Sequence, residues 1–340
     1  MKLVIIGSGM AGITLAEEVR KLNPDTEITV ITTETKAYYS RPMLSHGFSR
    51  EDIETKIILK SFEALQDSGI HVLEGIKAKS IDRSSHKVHC ERDDIHFDVS
   101  YDKLVLATGS DALIPGVFKT ERSLFFVVNS LEDLLALRQL RNSVLLTDQI
   151  PRWAVIGGGL IGCEVASDLA KAGDQVELFH ALPKLMEQQL TEEDSVSLRK
   201  VLENLGVELR LDTLVKGIET SEDSLNTIIT EQGVEPGFHG VIIACGFAPR
   251  TQIALEAGLA VNRGILVDDH LKTNDPDIHA IGDVAEWVDG KIYAYIVPVR
   301  QQAIWLGQYL EGKTHNAWTL PDFKPRAKVH GFTAQNPYLL

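Results

Sequence analysis

Lys2-Leu3-Val4-Ile5-Ile6-Gly7-Ser8-Gly9-Met10-Ala11-Gly12 opens the chain, and Arg152-Trp153-Ala154-Val155-Ile156-Gly157-Gly158-Gly159-Leu160-Ile161-Gly162 repeats its pattern midway. Each stretch reads as a buried apolar strand, a tight glycine turn and the start of a helix. In that context G-x-G-x-x-G becomes a dinucleotide-binding signal. The first glycine makes the turn, the second lets backbone approach a pyrophosphate, and the third lets helix pack on strand. The free N–H groups and positive dipole end of the helix then face the phosphates. Two such sites in one chain imply two dinucleotides exchanging electrons, which points to a flavoprotein.

The 340 residues suggest two domains with a small addition, and 44% hydrophobic with 24% charged residues is ordinary for a protein with real cores. A formal charge of −14 argues against nucleic acid as a partner. The apolar start is too short for a signal peptide and reads as a strand, and no apolar run is long enough for a membrane span. Cys90, Cys163 and Cys245 form neither a C-x-x-C pair nor a zinc spacing. They read as reduced thiols of a cytoplasmic protein, two of them buried beside glycine turns. Electrons reaching a flavin here therefore have no active-site disulfide through which to leave.

The first βαβ unit is expected as strand Lys2–Ile6, a helix from Met10 to Leu22 and strand Glu27–Ile31. Glu34 follows, 22 residues beyond Gly12, where a carboxylate can accept from ribose hydroxyls; the alternative is a solvated loop charge. Tyr39-Ser40-Arg41-Pro42-Met43-Leu44-Ser45 reads as a loop, and Glu51 to Gln66 as polar helix. Short alternating strands run to a buried strand ending at Ala107-Thr108-Gly109. The second βαβ unit has a helix from Leu160 to Lys171 and strand Gln175–Phe179, and ends at Ala244-Cys245-Gly246, echoing the earlier turn. A strand then leads to Gly282-Asp283, a helix from Val299 to Glu311 and a proline-containing tail.

Nearly the whole chain resembles the FAD- and NAD(P)-dependent pyridine nucleotide oxidoreductases, and within them the rubredoxin reductases. The resemblance rests on both glycine fingerprints, Arg41-Pro42-Met43-Leu44-Ser45, Ala107-Thr108-Gly109, Gly159-Leu160-Ile161-Gly162-Cys163-Glu164, Gly258 to Ile265 and Ile281-Gly282-Asp283. It implies an α/β fold: two Rossmann-like, glutathione-reductase-like domains, the second inserted in the first, with a short C-terminal segment. The expected boundaries are 1–114 and 244–314 for FAD, 115–243 for NAD(P), and 315–340 for a truncated C-terminal domain. By the same resemblance FAD contacts Gly7, Gly9, Met10, Ala11 and Gly12, with Glu34 on the ribose and Ala78 at the adenine. Arg41 falls near the flavin, Asp283 at the ribityl chain, and Val297 and Pro298 beside the pyrimidine end, with Pro42, Ala107, Thr108, Gly109 and Gly282 as further cofactor contacts. For Arg41 an ordinary surface position is the alternative. The nicotinamide dinucleotide is assigned Gly157, Gly159, Ile161, Gly162, His180 and Gly246, with Glu164 near the nicotinamide ring.

The sequence also departs from that family. The lysine that follows the Pro-x-Leu-Ser loop in oxygenase-type relatives is His46 here, so the expectation is a Glu164–Arg41 pair in a supporting catalytic role. The acid expected after the second strand of the inserted domain is His180. A neutral His180 can accept from a ribose or stack on adenine, whereas a charged one with Lys184 tolerates a 2′-phosphate. NADH is the expected donor, with NADPH possible. Relatives continue into a β-rich domain where this sequence stops at Leu340, and Lys328 stands nearest to their flavin-approaching lysine. The implied acceptor is rubredoxin or a similar small iron carrier, facing Lys313, Lys324, Arg326 and Lys328 or meeting only an ordinary tail. A ferredoxin or flavorubredoxin is the nearest alternative, and a non-enzymatic FAD- and NADH-binding regulator the alternative of another class. The cysteine that peroxidase and CoA-disulfide reductase relatives need after Arg41 is missing. Nothing in the sequence specifies an oligomeric state.

Overall fold

The computed structural model describes residues 1–120, 122–221 and 225–339. Two compact units emerge, each from three stretches of chain. Met1–Ser40, Ile58–Asp111 and Ala248–Phe323 form the first, and Arg41–Ile57, Ala112–Phe247 and Lys324–Leu340 the second.

The first unit is built on a five-stranded parallel sheet in the order Ile70–Leu73, Glu27–Ile31, Lys2–Ile6, Lys103–Leu106, Ile278–Ala280. Leu3, Ile5, Leu104, Val105 and Ile278 are completely buried, as expected of strands covered on both faces. The helices Met10–Leu22 and Ile296–Leu310 pack together, with Gly307 set against the side chain of Glu18 closely enough that a Cβ would meet it at 3.0 Å. A three-stranded antiparallel meander, Lys77–Asp82, Lys87–Arg92 and Ile95–Ser100, precedes the fourth sheet strand.

The second unit repeats this plan on a smaller scale. Its parallel sheet runs Val207–Arg210, Gln175–Phe179, Arg152–Ile156, Gly240–Ile243, and a second meander, Val215–Thr220, Asn226–Thr230 and Val234–Phe238, again precedes the closing strand. The duplication legible in the two glycine fingerprints thus extends through whole units.

Three local expectations change. The stretch from Glu51 to Gln66 is not one helix but a short helix Ile53–Lys56, a strand Ile58–Ser61 and a helix Phe62–Asp67. Antiparallel pairing of Ile58–Ser61 with Ala37–Tyr39 overrides the helical propensity of the polar run. The last helix starts at Ile296 instead of Val299, because Pro298 sits in a first turn where its missing N–H costs nothing. Finally, Arg41–Ile57 and Lys324–Leu340 cluster with the second unit, while 315–323 stay with the first. Trp318 explains the latter, buried edge-on against Trp287 at 5.0 Å.

Candidate dinucleotide sites and their buried acids

In the first unit, Gly7 follows strand Lys2–Ile6 with φ +117°, and a Cβ there would lie 2.1 Å from the Ala107 carbonyl oxygen. Only glycine permits this approach of the fingerprint to the Ala107-Thr108-Gly109 turn. A Cβ on Gly12 would come within 2.0 Å of the Gly7 carbonyl, whereas Gly9 faces open space. Gly9 caps the Met10–Leu22 helix without a side-chain hydrogen bond, and no acid stands in the first turn. The helix N-terminus therefore presents donors and positive potential to an anion. Around it, Thr108 Oγ1 donates to the Arg250 carbonyl at 2.9 Å, and Gly282 lies against Ala11 with its N–H held by Gln302 at 2.8 Å. Asp283 accepts from Ser110 at 3.1 Å, and Glu34 accepts from the Tyr39 hydroxyl at 2.8 Å. Val297 is exposed and Pro298 buried on the first turn of their helix, and Ala78 lies in the meander opposite Cys90.

The second unit builds the same device. Gly157 has φ +115° and a Cβ there would sit 2.3 Å from the Ala244 carbonyl oxygen. A Cβ on Gly162 would meet the Gly157 carbonyl at 1.8 Å, Gly159 faces open space, and the Leu160–Lys171 helix has neither a side-chain cap nor a first-turn acid. Ile161 is 41% exposed beside this turn, an apolar surface suited to a flat ring, and Gly246 closes the neighbouring strand end with φ +115°. His180 is turned inward: its Nδ1 accepts from the Gly158 N–H at 3.0 Å.

The same helix carries a buried acidic stripe. Glu164 and Asp168, one turn apart, are both fully buried, with Ser167 between them on the same side. Glu164 accepts from Ser45 Oγ at 2.5 Å and from the Lys328 N–H at 2.8 Å, and forms an ion pair with the Lys328 ammonium. The cation on Glu164 is therefore Lys328. The expected Glu164–Arg41 pair gives way to it, and Arg41 donates to the Asn129 carbonyl at 2.5 Å. Ser45 reaches Glu164 because Arg41–His46 coils into a 3-10 helix, and His46 bonds the Lys328 carbonyl at 2.5 Å. Asp168 accepts from the Phe48 and Ser49 N–H groups at 2.8 and 3.1 Å, from Ser49 Oγ, and from His330 Nε2 at 2.8 Å. Burial alone would raise its pKa, but these donors outweigh burial and hold the carboxyl below the usual range. Ser167 Oγ accepts the His330 N–H at 2.9 Å. Glu164, Ser167 and Asp168 of one helix thus hold Ser45, Phe48 and Ser49 on one side and Lys328 and His330 on the other.

The thiols stand apart from this chemistry. All three are unpaired, and burial pushes Cys90 and Cys245 up to about 11 and Cys163 higher still. Thiols held in that form are poor nucleophiles.

A model of the pyridine nucleotide-disulphide oxidoreductase family matches residues 1–305. The chain belongs to this family. It is 34% identical over 314 residues to a rubredoxin-NAD(+) reductase of Acinetobacter baylyi, covering 92% of this chain and 79% of the relative. It is also 34% identical over 315 residues to a nitric oxide reductase FlRd-NAD(+) reductase of Salmonella paratyphi B, covering 91% and 79%. Among solved structures, putidaredoxin reductase in its covalent complex with putidaredoxin superposes with a TM-score of 0.84 at 27% identity, over 96% of this chain and 79% of that one. A ferredoxin reductase for the CYP199A2 system of Rhodopseudomonas palustris gives 0.84 at 26% identity, over 95% and 78%.

The chain is accordingly an NAD(P)H-dependent flavoprotein oxidoreductase using FAD and NAD(H), and its two glycine cradles fit those groups. Among the described residues no helix is long and apolar enough to cross a membrane. Sequence reading found both cradles but missed Ser45, Asp168, Ser167 and His330. The signal for them was present: a second acid one turn beyond Glu164 on the same face of a largely apolar helix, which is rare unless the pair is satisfied from outside.

Proposed function

We propose that this cytoplasmic reductase takes electrons from NADH and passes them, one at a time, to rubredoxin or a similar small iron carrier. The observation that carries the reading is the pair of complete dinucleotide cradles in a chain whose three thiols are unpaired and held protonated. The relatives named rubredoxin-NAD(+) reductase support the choice of acceptor. When bound, FAD accepts hydride from a nicotinamide and can release electrons singly, so the protein contributes mainly binding, orientation and electrostatics.

In this reading the first cradle holds FAD through Gly7, Gly9 and the Met10–Leu22 helix end, with Glu34 on the adenosine ribose and Asp283 on the ribityl hydroxyls. Gly157, Gly159 and Gly162 hold the pyrophosphate of NADH. Glu164 plays a supporting part: it holds the Lys328 ammonium and, through Ser45, the Arg41–His46 turn. Lys328 is committed to Glu164, which leaves the exposed Lys324 and Arg326 as the basic positions of this segment for an acidic acceptor.

An anaerobic assay of FAD-loaded protein with NADH and oxidised rubredoxin tests the reading. Rapid bleaching of rubredoxin is expected; a flavin that reduces while rubredoxin stays oxidised contradicts it. A second acceptor class is favoured by the Salmonella relatives, named as reductases of FlRd, and flavorubredoxin belongs in the same assay.

A further inference from the structure

Strand Gln175–Phe179 delivers His180 to the edge of the second glycine turn, where Rossmann folds read the adenosine ribose. A carboxylate there accepts from the 2′- and 3′-hydroxyls, and a cation accommodates a 2′-phosphate. His180 is arranged for neither. The Gly158 N–H occupies its Nδ1, which leaves a neutral ring with its proton on Nε2. That Nε2–H faces the Lys184 carbonyl at 3.1 Å and the Glu187 carboxylate at 3.3 Å.

The loop that brings Glu187 there is built for the purpose. The ring of His180 and the side chain of Leu185 press on Gly158 so closely that a Cβ would meet each at 2.7 Å. Met186, fully buried, adopts a left-handed φ of +48° and donates its N–H to the Gly158 carbonyl at 2.9 Å. Both polar groups of the Gly158 residue are therefore tied to this loop, and a strained, non-glycine residue immediately precedes Glu187. Such strain persists only where the surroundings over-determine it. Its result is a carboxylate with 29% of its side chain exposed, held by a histidine next to the fingerprint.

The two cations that flank this position are already matched. Lys184 lies 3.7 Å from Glu192, and Arg210, whose carbonyl accepts the His180 N–H, faces Glu208 at 2.7 Å, Glu177 at 3.4 Å and Glu235 at 3.7 Å. The local field is acidic, which suits hydroxyls and repels a phosphate.

We infer that Glu187 is the residue by which this chain selects NADH over NADPH, accepting from the ribose hydroxyls, with His180 and Met186 as positioning residues. The inference deepens the NADH part of the proposed function and is independent of the electron acceptor.

Anaerobic stopped-flow reduction of the bound flavin by NADH and by NADPH tests it. Glu187→Gln, which keeps the size of the side chain, should raise the NADH half-saturation about tenfold or more while leaving the limiting rate unchanged. Glu187→Lys should in addition improve NADPH and reverse or nearly abolish the preference. His180→Ala should raise the NADH half-saturation similarly, and the His180→Ala/Glu187→Gln double variant should be no worse than the worse single variant, as expected for residues acting as a unit. An unchanged NADH-to-NADPH ratio in both Glu187 variants overturns the assignment to Glu187. Wild-type flavin that stays oxidised with NADH but is reduced by NADPH overturns the underlying NADH reading as well.

Discussion

Gly7 shows how little freedom single residues have at these sites. Its left-handed φ and the 2.1 Å approach to Ala107 leave no room for a methyl group. Gly7→Ala must displace backbone, at a cost on the order of 2–3 kcal/mol. The expected outcome is a purified protein with little bound FAD, read from its flavin-to-protein absorbance ratio, and a full complement of flavin would contradict it. His279 offers a second test at this scale. It is almost completely buried, both ring nitrogens lack a partner among the described residues, and burial lowers its pKa from 6.5 to about 4. The unfolded chain takes up a proton at this residue below about pH 6.5 while the folded one resists until about pH 4. Its neutral form thus favours the folded state above pH 6.5, and that advantage is lost as pH falls towards 4. The loss amounts to at most about 3 kcal/mol. His279→Leu should flatten urea stability across this window, and an unchanged pH slope would refute the linkage.

At the scale of elements, the Leu160–Lys171 helix is more than the second half of a nucleotide fingerprint. Its buried Glu164, Ser167 and Asp168 anchor two segments remote in sequence, Arg41–Ser49 and Lys328–His330. Asp168→Ala leaves the Phe48 and Ser49 N–H groups without their acceptor and should cost roughly 2–4 kcal/mol. Hydrogen exchange should show both amides losing protection, and retained protection would mean the anchor is redundant. Because its donors hold the Asp168 pKa low, its contribution is present above the ordinary carboxylate range and fades as pH falls through the lowered value. This element also marks what the sequence could and could not tell. Gly7, Gly12, Gly157 and Gly162 were legible because the positive φ of the turn and the contact of Gly12 and Gly162 with the turn carbonyls are local requirements. The partner of Glu164 was not, since Lys328 lies 164 positions away and the expected partner was Arg41. His180 was likewise ambiguous, because the identity of a strand-end residue does not reveal which nitrogen the backbone will claim. The Ile58–Ser61 strand was hidden for a third reason, its pairing with Ala37–Tyr39 outweighing a polar, helix-favouring composition.

For the molecule as a whole, the repeated plan of parallel sheet, meander and small-residue turn gives one chain two nucleotide cradles, and family membership supplies the flavin reductase chemistry. The net charge of −14 disfavours association with an acidic iron protein unless a local basic surface intervenes. Lys324 and Arg326 are exposed, while Lys328 is drawn to Glu164. Reversing both charges, Lys324→Glu with Arg326→Glu, should raise the KM for rubredoxin several-fold at low salt and leave flavin reduction by NADH untouched. An unchanged KM would place docking elsewhere. The most direct test of the central claim is a sequential-mixing experiment without oxygen. The FAD-loaded protein is first mixed with one equivalent of NADH, and then with an excess of oxidised rubredoxin. Flavin bleaching is expected in the first step, then flavin reoxidation with two rubredoxins reduced per NADH, the ratio required when a two-electron donor feeds a one-electron carrier. A flavin that bleaches but stays reduced in the presence of rubredoxin would contradict the claim.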